Sequence, residues 1–562
     1  MPPSGQSTND LARRRLIAGG SVLGVLLFGG LLVTQCGGGG GQAAAERYSK
    51  AWERQDFNSM YDQLSPDSKK AITREAFVDA QRRALSTATV RSLKAGKAGD
   101  FKDGNVKVPF TVDTRVFGQI KLAAEIPVTN DDDDSKVTWK PNLTMPGLAE
   151  GESLTRTTTM PERASILAAD GTPLAEGPER TSPIPDVAAE IAGTVGTPQA
   201  GAGDSLVAFG YPPETKVGLT GLERVFQQRL AGRPGGTLKA GNRVLASSRP
   251  VATRPLKTTI IPSVERAAAS ALAGRSGGVA VMNPRTGEVL ALAGSAFSAT
   301  NPPGSTFKII TLVAGLEAGA TTPKTEYPFE TAAILDGVDL QNAGGESCGG
   351  NLAQAFAKSC NSVFAPLGAK VGSARLVAAA EKFGFNRPTP GIPGSALSTI
   401  PAADQINGPL NIGSTAIGQG EVMASALVMT TAAAAIANGG FRAQPTLVPV
   451  TKPTGWQATT RRVAAQVTRM MLAVVQYGTG DSAAIPGVQV AGKTGTAELV
   501  DTTAPGVEAG NPANTDAWFV AFAPANRPRV AVGVELDGAG HGGETAAPAA
   551  REAMIAALKA TR

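Results

Sequence analysis

Hydrophobic and polar residues alternate along a stretch near residue 110, and a helical spacing of apolar residues precedes it. Tyr48 and Trp52 lie four positions apart, which places two side chains on one face of a helix. Every second residue is apolar in the later stretch, the pattern of a strand with one buried face: Val106, Val108, Phe110 and Val112. Residues 43–148 therefore predict a small α+β domain. Residues 149–257 show weaker periodicity and more glycine and proline, which predicts a separate connecting module.

The pattern changes from residue 258 onward. A helix over 262–273 precedes two apolar strands, 278–282 and 288–293, and the turn between them predicts a hairpin. Three further strands are predicted late in the chain, at 488–498, 517–523 and 529–536, before a terminal helix from about Ala546. Residues 258–562 thus predict a domain with a five-stranded antiparallel sheet between helices, so the chain as a whole is a multidomain α+β protein.

The N-terminal segment predicts a membrane anchor. Three arginines at 13–15 precede an uncharged apolar run over 16–33, and the next positive charge is Arg47. This asymmetry predicts a cytoplasmic tail over 1–15, a transmembrane signal anchor over 16–34 and a glycine-rich linker over 35–42, with the rest of the chain outside the cell membrane as a single-pass protein. Lipidation at Cys36 is an alternative, although Gln35 stands where a lipoprotein signal has a small residue, and simple cleavage of the segment is another.

Composition narrows the chemistry. Lys and Arg total 53 against 47 Asp and Glu, without the basic stripe or zinc-finger spacing of nucleic-acid binders, so no nucleic-acid partner is expected. The chain has one histidine, His541, which disfavours a histidine-rich metal site and a Ser-His-Asp triad. We expect neither a metal nor another cofactor. A nucleophile in this chain needs a base other than histidine.

Ser305 and Lys308 are the first candidates for catalysis. Pro302-Pro303-Gly304 breaks the preceding structure, and an apolar helix is predicted to begin at Ser305. Backbone amides at a helix start stabilise negative charge on an attacking oxygen or on the oxyanion that it forms. Lys308 follows one turn later on the same face, and burial beside a second cation would lower its pKa enough for it to accept the serine proton.

Two later segments supply the remaining groups. In Ser359-Cys360-Asn361, the hydroxyl can relay a proton to a leaving amine, and the amide can hold both a substrate carbonyl and Lys308. In the predicted strand at Lys493-Thr494-Gly495-Thr496, the cation and hydroxyls suit a substrate carboxylate, while glycine lets a peptide lie along the strand. The amides of Ser305 and Thr496 would complete an oxyanion hole.

The order of these three motifs along the chain and their structural settings make them informative together. A single Ser-x-x-Lys is expected by chance in a chain of 562 residues, whereas Ser-x-x-Lys, Ser-x-Asn and Lys-Thr-Gly in this order and structural setting are specific. Cys348 and Cys360 flank the short helix before Ser359. Outside the cytoplasm they can form a disulfide, and two buried thiols are the alternative.

With these motifs, residues 258–562 resemble the transpeptidase domain of penicillin-binding proteins, which has a serine β-lactamase-like fold. The segments around Arg163 and Glu223 resemble the pedestal, or dimerisation, module of class B members, although Ala164 stands where the family often has glycine. Residues 43–148 resemble the nuclear-transport-factor-like domain of the methicillin-resistance type. Further matching segments are 283–291, 302–308, 417–420 and 518–524.

The resemblance implies a peptidoglycan D,D-transpeptidase. Ser305 would be acylated by the D-Ala-D-Ala end of a stem peptide or by a β-lactam antibiotic, and an acceptor amine would resolve the acyl-enzyme. Since no glycosyltransferase domain is visible, a separate glycosyltransferase is an expected partner. A D,D-carboxypeptidase or a serine β-lactamase, in which water resolves the same intermediate, is an alternative. A β-lactam-binding sensor or an inactive scaffold is another.

Overall fold

The computed structural model describes residues 39–129, 134–198, 203–392, 394–499 and 512–562. The predicted anchor over 16–34 and Cys36 lie outside these described residues, so both stay predictions. Among the helices that are described, none is by itself long enough and apolar enough to cross a bilayer.

Contacts within the chain divide it into two compact units, each assembled from separate stretches of sequence. The first contains residues up to Val78 with Ala95–Pro109 and Ala123–Lys140. The second contains Asp79–Lys94, Phe110–Leu122 and Pro141–Arg562. The three domain boundaries expected from the sequence do not coincide with this division, and they stay predictions.

The helices and strands near the N terminus follow the predicted pattern. The four apolar residues at alternating positions of the predicted strand are all buried in β3, which confirms that strand. Tyr48 and Trp52 are buried on α1 with their ring centroids 5.9 Å apart. The elements of this region are α1 (Gly39–Glu53), α2 (Phe57–Asp62), α3 (Pro66–Ala71), α4 (Arg74–Thr87), β1 (Val90–Ala95), β2 (Phe101–Lys102), β3 (Asn105–Thr114), β4 (Gly118–Pro127) and β5 (Leu154–Thr159).

Helix α1 begins earlier than the sequence predicts. Residues 39–42, expected to belong to a glycine-rich linker over 35–42, form the first turn of α1, so this part of the linker prediction is wrong. Gly41 is buried against the ring of Phe101, and a Cβ at Gly41 would lie 2.8 Å from a ring carbon. Tertiary packing of this kind outweighs the low helix propensity of glycine.

A buried ion-pair cluster holds the region that resembles a pedestal. The carboxylate of Glu223 is fully buried and lies 2.6 Å from guanidinium nitrogens of both Arg163 and Arg180. A buried carboxylate is costly unless it is paired, so the two arginines are required partners.

The helices and strands of the region that resembles a pedestal are β6 (Ile166–Leu167), β7 (Pro173–Ala175), α5 (Pro185–Ile191), β8 (Val195–Gly196), α6 (Gly203–Phe209), β9 (Val217–Gly218), α7 (Gly221–Val225), α8 (Gln227–Ala231), β10 (Gly235–Ala240), β11 (Arg243–Ser248) and β12 (Leu256–Lys257).

The C-terminal half of the chain has a sheet flanked by helices. Its elements are α9 (Pro262–Leu272), β13 (Gly277–Met282), β14 (Val289–Gly294), α10 (Lys308–Glu317), β15 (Glu326–Glu330), β16 (Ala332–Leu335), β17 (Val338–Gln341), β18 (Cys348–Asn351), α11 (Leu352–Ala357), α12 (Asn361–Val371), α13 (Ser373–Lys382), α14 (Gly408–Ala416), α15 (Ala426–Ala437), β19 (Phe441–Ala443), β20 (Gly455–Gln457), α16 (Arg461–Gln476), β21 (Ala491–Glu498), β22 (Thr515–Ala523), β23 (Val530–Leu536) and α17 (Ala546–Ala560).

The predicted five-stranded antiparallel sheet is confirmed. Its strands follow the order β14-β13-β23-β22-β21, and each neighbouring pair is antiparallel. Val279 and Val281 belong to a hydrophobic cluster with α9 and α17, whereas Ala280 and Met282 belong to the cluster that contains α15. Because successive strand residues point to opposite faces, α15 covers the face opposite to α9 and α17. Strand β21, which carries Lys493, is left at the edge of the sheet.

Candidate active site

Ser305 lies in a tight turn that leads into α10. Residues Gly304–Phe307 form a 3₁₀ turn, and α10 begins at Lys308, so the helix start expected at Ser305 takes this 3₁₀ form. Gly304 has a positive φ of 50°, and a Cβ there would come 2.6 Å from the carbonyl oxygen of Thr496. Only glycine fits this close approach, which brings the turn against strand β21.

Lys308 is fully buried, and its side-chain nitrogen faces oxygens of the Ser359-Cys360-Asn361 segment. The Nζ atom donates to the carbonyl oxygen of Ser359 at 2.7 Å and to Oδ1 of Asn361 at 2.6 Å. It also lies 3.3 Å from Oγ of Ser359. The structure thus brings the first two predicted motifs together around one amine.

The orientation of Asn361 is fixed from the opposite side. Its Nδ2 donates to the carbonyl oxygen of Gln341, the last residue of β17, at 2.6 Å. An amide that donates through nitrogen on one side presents its oxygen on the other. Oδ1 of Asn361 therefore faces Lys308.

Burial and a neighbouring cation change the acidity of Lys308. Loss of hydration for the ammonium form, and secondarily the charge of Lys493, hold the pKa of Lys308 well below its usual range. The ring of Phe364 lies 5.8 Å from Nζ and forms part of this apolar surrounding. The neutral amine of Lys308 therefore forms more readily than that of an exposed lysine.

Lys493 approaches Ser359 from the strand. Its Nζ donates to Oγ of Ser359 at 2.8 Å and to the carbonyl oxygen of Thr494 at 2.9 Å. Burial lowers the pKa of Lys493 to about 7. The Ser359 hydroxyl is consequently placed between two lysines, both of which hold a proton weakly.

Ser359 occupies a backbone conformation that few non-glycine residues adopt. Its φ is 62°, in the left-handed region, at the junction between α11 and α12. The next residue, Cys360, is bonded to Cys348 in a disulfide with Cα atoms 5.5 Å apart. Such strained residues persist only where the surrounding structure holds them, and the adjacent disulfide is one such constraint.

The third motif lies on edge strand β21, as its sequence predicts. Lys493 and Thr494 are buried, and Gly495 passes close to the serine turn, where a Cβ would come 2.9 Å from the carbonyl oxygen of Pro303. The backbone amide of Gly542 lies 3.5 Å from Oγ1 of Thr496. These contacts bring the segments that carry all eight predicted catalytic and substrate-binding residues against one another.

Thr479 and the carbonyl of Gln341 contact the predicted motifs but are not among the site residues predicted from the sequence. Oγ1 of Thr479 lies 2.5 Å from Oγ1 of Thr494. The glycines on each side of Thr479 are a usable sequence signal, because paired glycines mark places of close backbone approach. The Gln341 carbonyl leaves no sequence signal, since every residue has one.

A carboxylate cluster lies on β22 and β23. Oxygens of Asp516, Glu535 and Asp537 lie within 4.8 Å of one another, close enough to share a cation. Asn301 donates to Glu535 and to Asp537 at 2.9 and 2.8 Å. Burial, and then the hydrogen bond with Asp537, raise the pKa of Glu535 to about 9. The Asn301 amide thus already occupies one oxygen of Glu535 and one of Asp537, and the backbone N–H of Gly538 donates to Asp516.

Comparison with protein families gives two matches. The penicillin-binding protein transpeptidase domain matches residues 277–555, and the NTF2-like N-terminal transpeptidase domain matches residues 40–152. The peptidoglycan D,D-transpeptidase PbpA of Mycolicibacterium smegmatis is 34% identical over 410 residues, which cover 60% of this chain and 77% of the relative. The protein of the same name from Mycobacterium tuberculosis is 37% identical over 305 residues, which cover 48% of this chain and 57% of the relative.

Solved structures agree with these matches. The penicillin G acyl-enzyme complex of penicillin-binding protein A from M. tuberculosis is similar with a TM-score of 0.57 and 29% identity, covering 71% of this chain and 99% of that one. The D,D-transpeptidase domain of a peptidoglycan glycosyltransferase from Eggerthella lenta is similar with the same TM-score and identity, covering 71% and 98%.

Proposed function

Because this chain belongs to the penicillin-binding transpeptidase family, we propose that it cross-links peptidoglycan stem peptides as a D,D-transpeptidase through an acyl-enzyme on Ser305. One observation carries the proposal: the buried amine of Lys308 and the buried amine of Lys493 converge on the single hydroxyl of Ser359. This arrangement supplies weakly held protons beside the proposed nucleophile without histidine.

In the first step, Oγ of Ser305 attacks the carbonyl carbon of the penultimate D-Ala, and its proton moves to Nζ of Lys308. A neutral lysine has two N–H hydrogens and one lone pair. The carbonyl oxygen of Ser359 and Oδ1 of Asn361 accept those two hydrogens, which leaves the lone pair for the serine proton. The backbone amides of Ser305 and Thr496 are assigned to the oxyanion.

In the second step, the C–N bond to the terminal D-Ala breaks, and the leaving amine needs a proton. Oγ of Ser359 accepts a hydrogen bond from Lys493, so its own hydrogen is free to move to that amine. Lys308, which holds the proton taken from Ser305, lies 3.3 Å from the same oxygen and restores it. Protons therefore balance over acylation: Ser305 loses one and the leaving D-Ala gains one.

In the third step, an acceptor amine from a second stem peptide attacks the ester carbonyl and releases Ser305. The same groups run in reverse, with Lys308 receiving the amine proton and returning one to Ser305. A β-lactam enters by the first step, but its amine stays attached after the ring opens and obstructs the acceptor. Related structures are described as acyl-enzyme complexes with penicillin G and imipenem, which supports this part of the proposal.

Substrate binding is assigned to β21. Lys493, Thr494 and Thr496 would hold the terminal carboxylate of the donor peptide by a charge and two hydroxyls. Because β21 is an edge strand, it has backbone groups available for an extended peptide, and Gly495 has no side chain to obstruct it.

We place this chain at the cell membrane, single-pass and extracytoplasmic. Two features support this location: the apolar run over 16–33, and the disulfide between Cys348 and Cys360, which suits an oxidising compartment. The chemistry joins peptides only, so a separate glycosyltransferase would supply the glycan strands.

A direct test uses a D-Ala-D-Ala peptide with and without a D-amino acid as acceptor amine. The proposal predicts release of D-Ala together with an exchanged peptide that carries the acceptor, and Ser305→Ala should produce neither. Hydrolysed peptide without exchange would favour a D,D-carboxypeptidase. The absence of both products would favour a sensor or scaffold if a separate sample of the same wild-type protein is acylated by a β-lactam.

A further inference from the structure

Thr479 lies beside the proposed carboxylate-binding strand, in the loop that follows α16. Its neighbours are glycines in tight contact with other parts of the fold. A Cβ at Gly478 would come 2.4 Å from the carbonyl oxygen of Ala357, and one at Gly480 would come 2.9 Å from the ring of Phe519. These close approaches fix the place of the Thr479 side chain.

Thr479 connects two of the catalytic segments. Its backbone N–H donates to the carbonyl oxygen of Ala357, the last residue of α11, at 3.1 Å. Its hydroxyl oxygen lies 2.5 Å from the hydroxyl oxygen of Thr494 on β21. Ala357 precedes Ser359 by two residues, so Thr479 contacts the segment of the proton relay and the strand of the substrate site.

Two directions are open for the hydrogen bond between the two threonines in the free protein. Each hydroxyl has one hydrogen to donate. The Thr479 hydroxyl has two acceptors within reach, Oγ1 of Thr494 at 2.5 Å and the Ala357 carbonyl at 3.4 Å, so it either donates to Thr494 or accepts from Thr494 while donating to Ala357. With Thr479 donating to Thr494, the hydrogen of Thr494 is free to point away from Thr479.

Binding of a substrate carboxylate by Thr494 requires that Thr479 donates to Thr494. An ionised carboxylate accepts hydrogen bonds and donates none, so a threonine that binds it must contribute its own hydrogen. Thr494 can donate its hydrogen to the carboxylate and keep the bond to Thr479 only if Thr479 is the donor in that bond. Nearly all of Thr494 is buried, which limits the supply of water as a substitute donor.

We propose that Thr479 is a positioning residue for substrate recognition: its hydroxyl donates to Thr494 and thereby turns the Thr494 hydroxyl hydrogen toward the substrate carboxylate. This inference rests on the proposed function, because it assigns the carboxylate to β21. It adds a residue that does not itself touch the substrate.

The test compares benzylpenicillin with its methyl ester, which lacks the carboxylate charge, on the full-length protein in detergent. Thr479→Val keeps the shape and loses the hydroxyl, and Thr479→Ser keeps the hydroxyl. For Thr479→Val, the second-order acylation rate constant with benzylpenicillin should fall by about three- to tenfold through weaker binding, with the saturating rate unchanged. The ester should react within about twofold of its wild-type rate, and Thr479→Ser should stay within about twofold for both compounds.

A coupling measurement separates positioning from general loosening. In a Thr494→Val background the bond is already lost, so adding Thr479→Val should cause no further loss with benzylpenicillin. Equal slowing of the acid and the ester, or full activity of Thr479→Val with the acid, would overturn the inference. If thermal unfolding shows that Thr479→Val is not folded, Thr479→Ala replaces it, and it should likewise slow the reaction of the acid but not that of the ester. Failure of wild type to be acylated at Ser305 would instead overturn the proposed function itself.

Discussion

The side-chain nitrogen of Lys308 lies 2.6 Å from the amide oxygen of Asn361, and the amide nitrogen of Asn361 donates to the Gln341 carbonyl. The lysine is thereby held by an oxygen that can only accept. Because burial already disfavours the ammonium form, this contact orients the amine without forcing it to stay charged. The pair explains how a lysine can act as a base in a chain that has one histidine.

Replacing Lys308 by arginine tests the proton-accepting role. Arginine keeps the positive charge but stays protonated in proteins, so Lys308→Arg should slow acylation by about 10²–10⁴-fold, the usual loss for a general base. Stopped-flow acylation with a chromogenic β-lactam measures this rate. Lys382→Arg, a half-exposed position in the same half of the chain, is the matched control and should react normally. Near wild-type acylation by Lys308→Arg would mean that another group takes the serine proton.

The two lysines also predict a bell-shaped dependence of acylation on pH. The pKa of Lys493 is about 7, so its cation, and with it carboxylate binding, is lost as the pH rises above that value. The acidic side of the profile depends on Lys308: its neutral form disappears as the pH falls through its lowered pKa, and acylation slows. The second-order rate constant for benzylpenicillin should therefore decline on both sides. A β-lactam ester should lack the decline above about pH 7, and an identical alkaline decline for acid and ester would exclude Lys493 as its source.

The disulfide should contribute to stability, because it ties the residue between Ser359 and Asn361 to Cys348. Replacing both Cys348 and Cys360 by alanine should lower the free energy of unfolding by about 2–4 kcal/mol in denaturant titrations. Cys36→Ala removes the third cysteine and should leave stability unchanged. Alkylation of both Cys348 and Cys360 in the unreduced protein, or an unreduced mass equal to the reduced mass, would refute the bridge.

Glu265 on α9 predicts a pH dependence of stability. Burial raises the pKa of Glu265 to about 7, although the Leu292 amide donates to one of its oxygens at 2.8 Å. The folded state then binds more protons than the unfolded state between the ordinary carboxyl pKa and about 7. The contribution of Glu265 is full below the ordinary pKa and is lost as the pH rises through about 7.

Thermal unfolding over this pH range measures the effect. Glu265→Gln cannot titrate, so its melting temperature should fall less than that of wild type as the pH rises. Glu552→Gln, at an exposed position on α17, should follow wild type. Parallel curves for wild type and Glu265→Gln would show that this carboxyl does not titrate as described.

The sequence predicts which residues meet at the candidate site better than it predicts the contacts that support them. Ser305, Lys308, Ser359, Asn361 and Lys493 follow from residue type, order and local breakers, and the strands follow from apolar alternation. These signals are local. The structural partners are set by tertiary contacts: the carbonyl that orients Asn361 comes from β17, and the helical start at residues 39–42 depends on the ring of Phe101. Such contacts leave no periodic pattern.

Acylation of Ser305 can be observed by peptide-resolved mass spectrometry of the full-length protein after exposure to benzylpenicillin. We expect an adduct with the mass of the intact antibiotic on Ser305, because ring opening loses no atoms. The adduct should persist for hours, because the acceptor is obstructed. Ser305→Ala should fold normally and carry no adduct. An adduct on any other residue, or undiminished labelling of Ser305→Ala, would show that Ser305 is not the nucleophile.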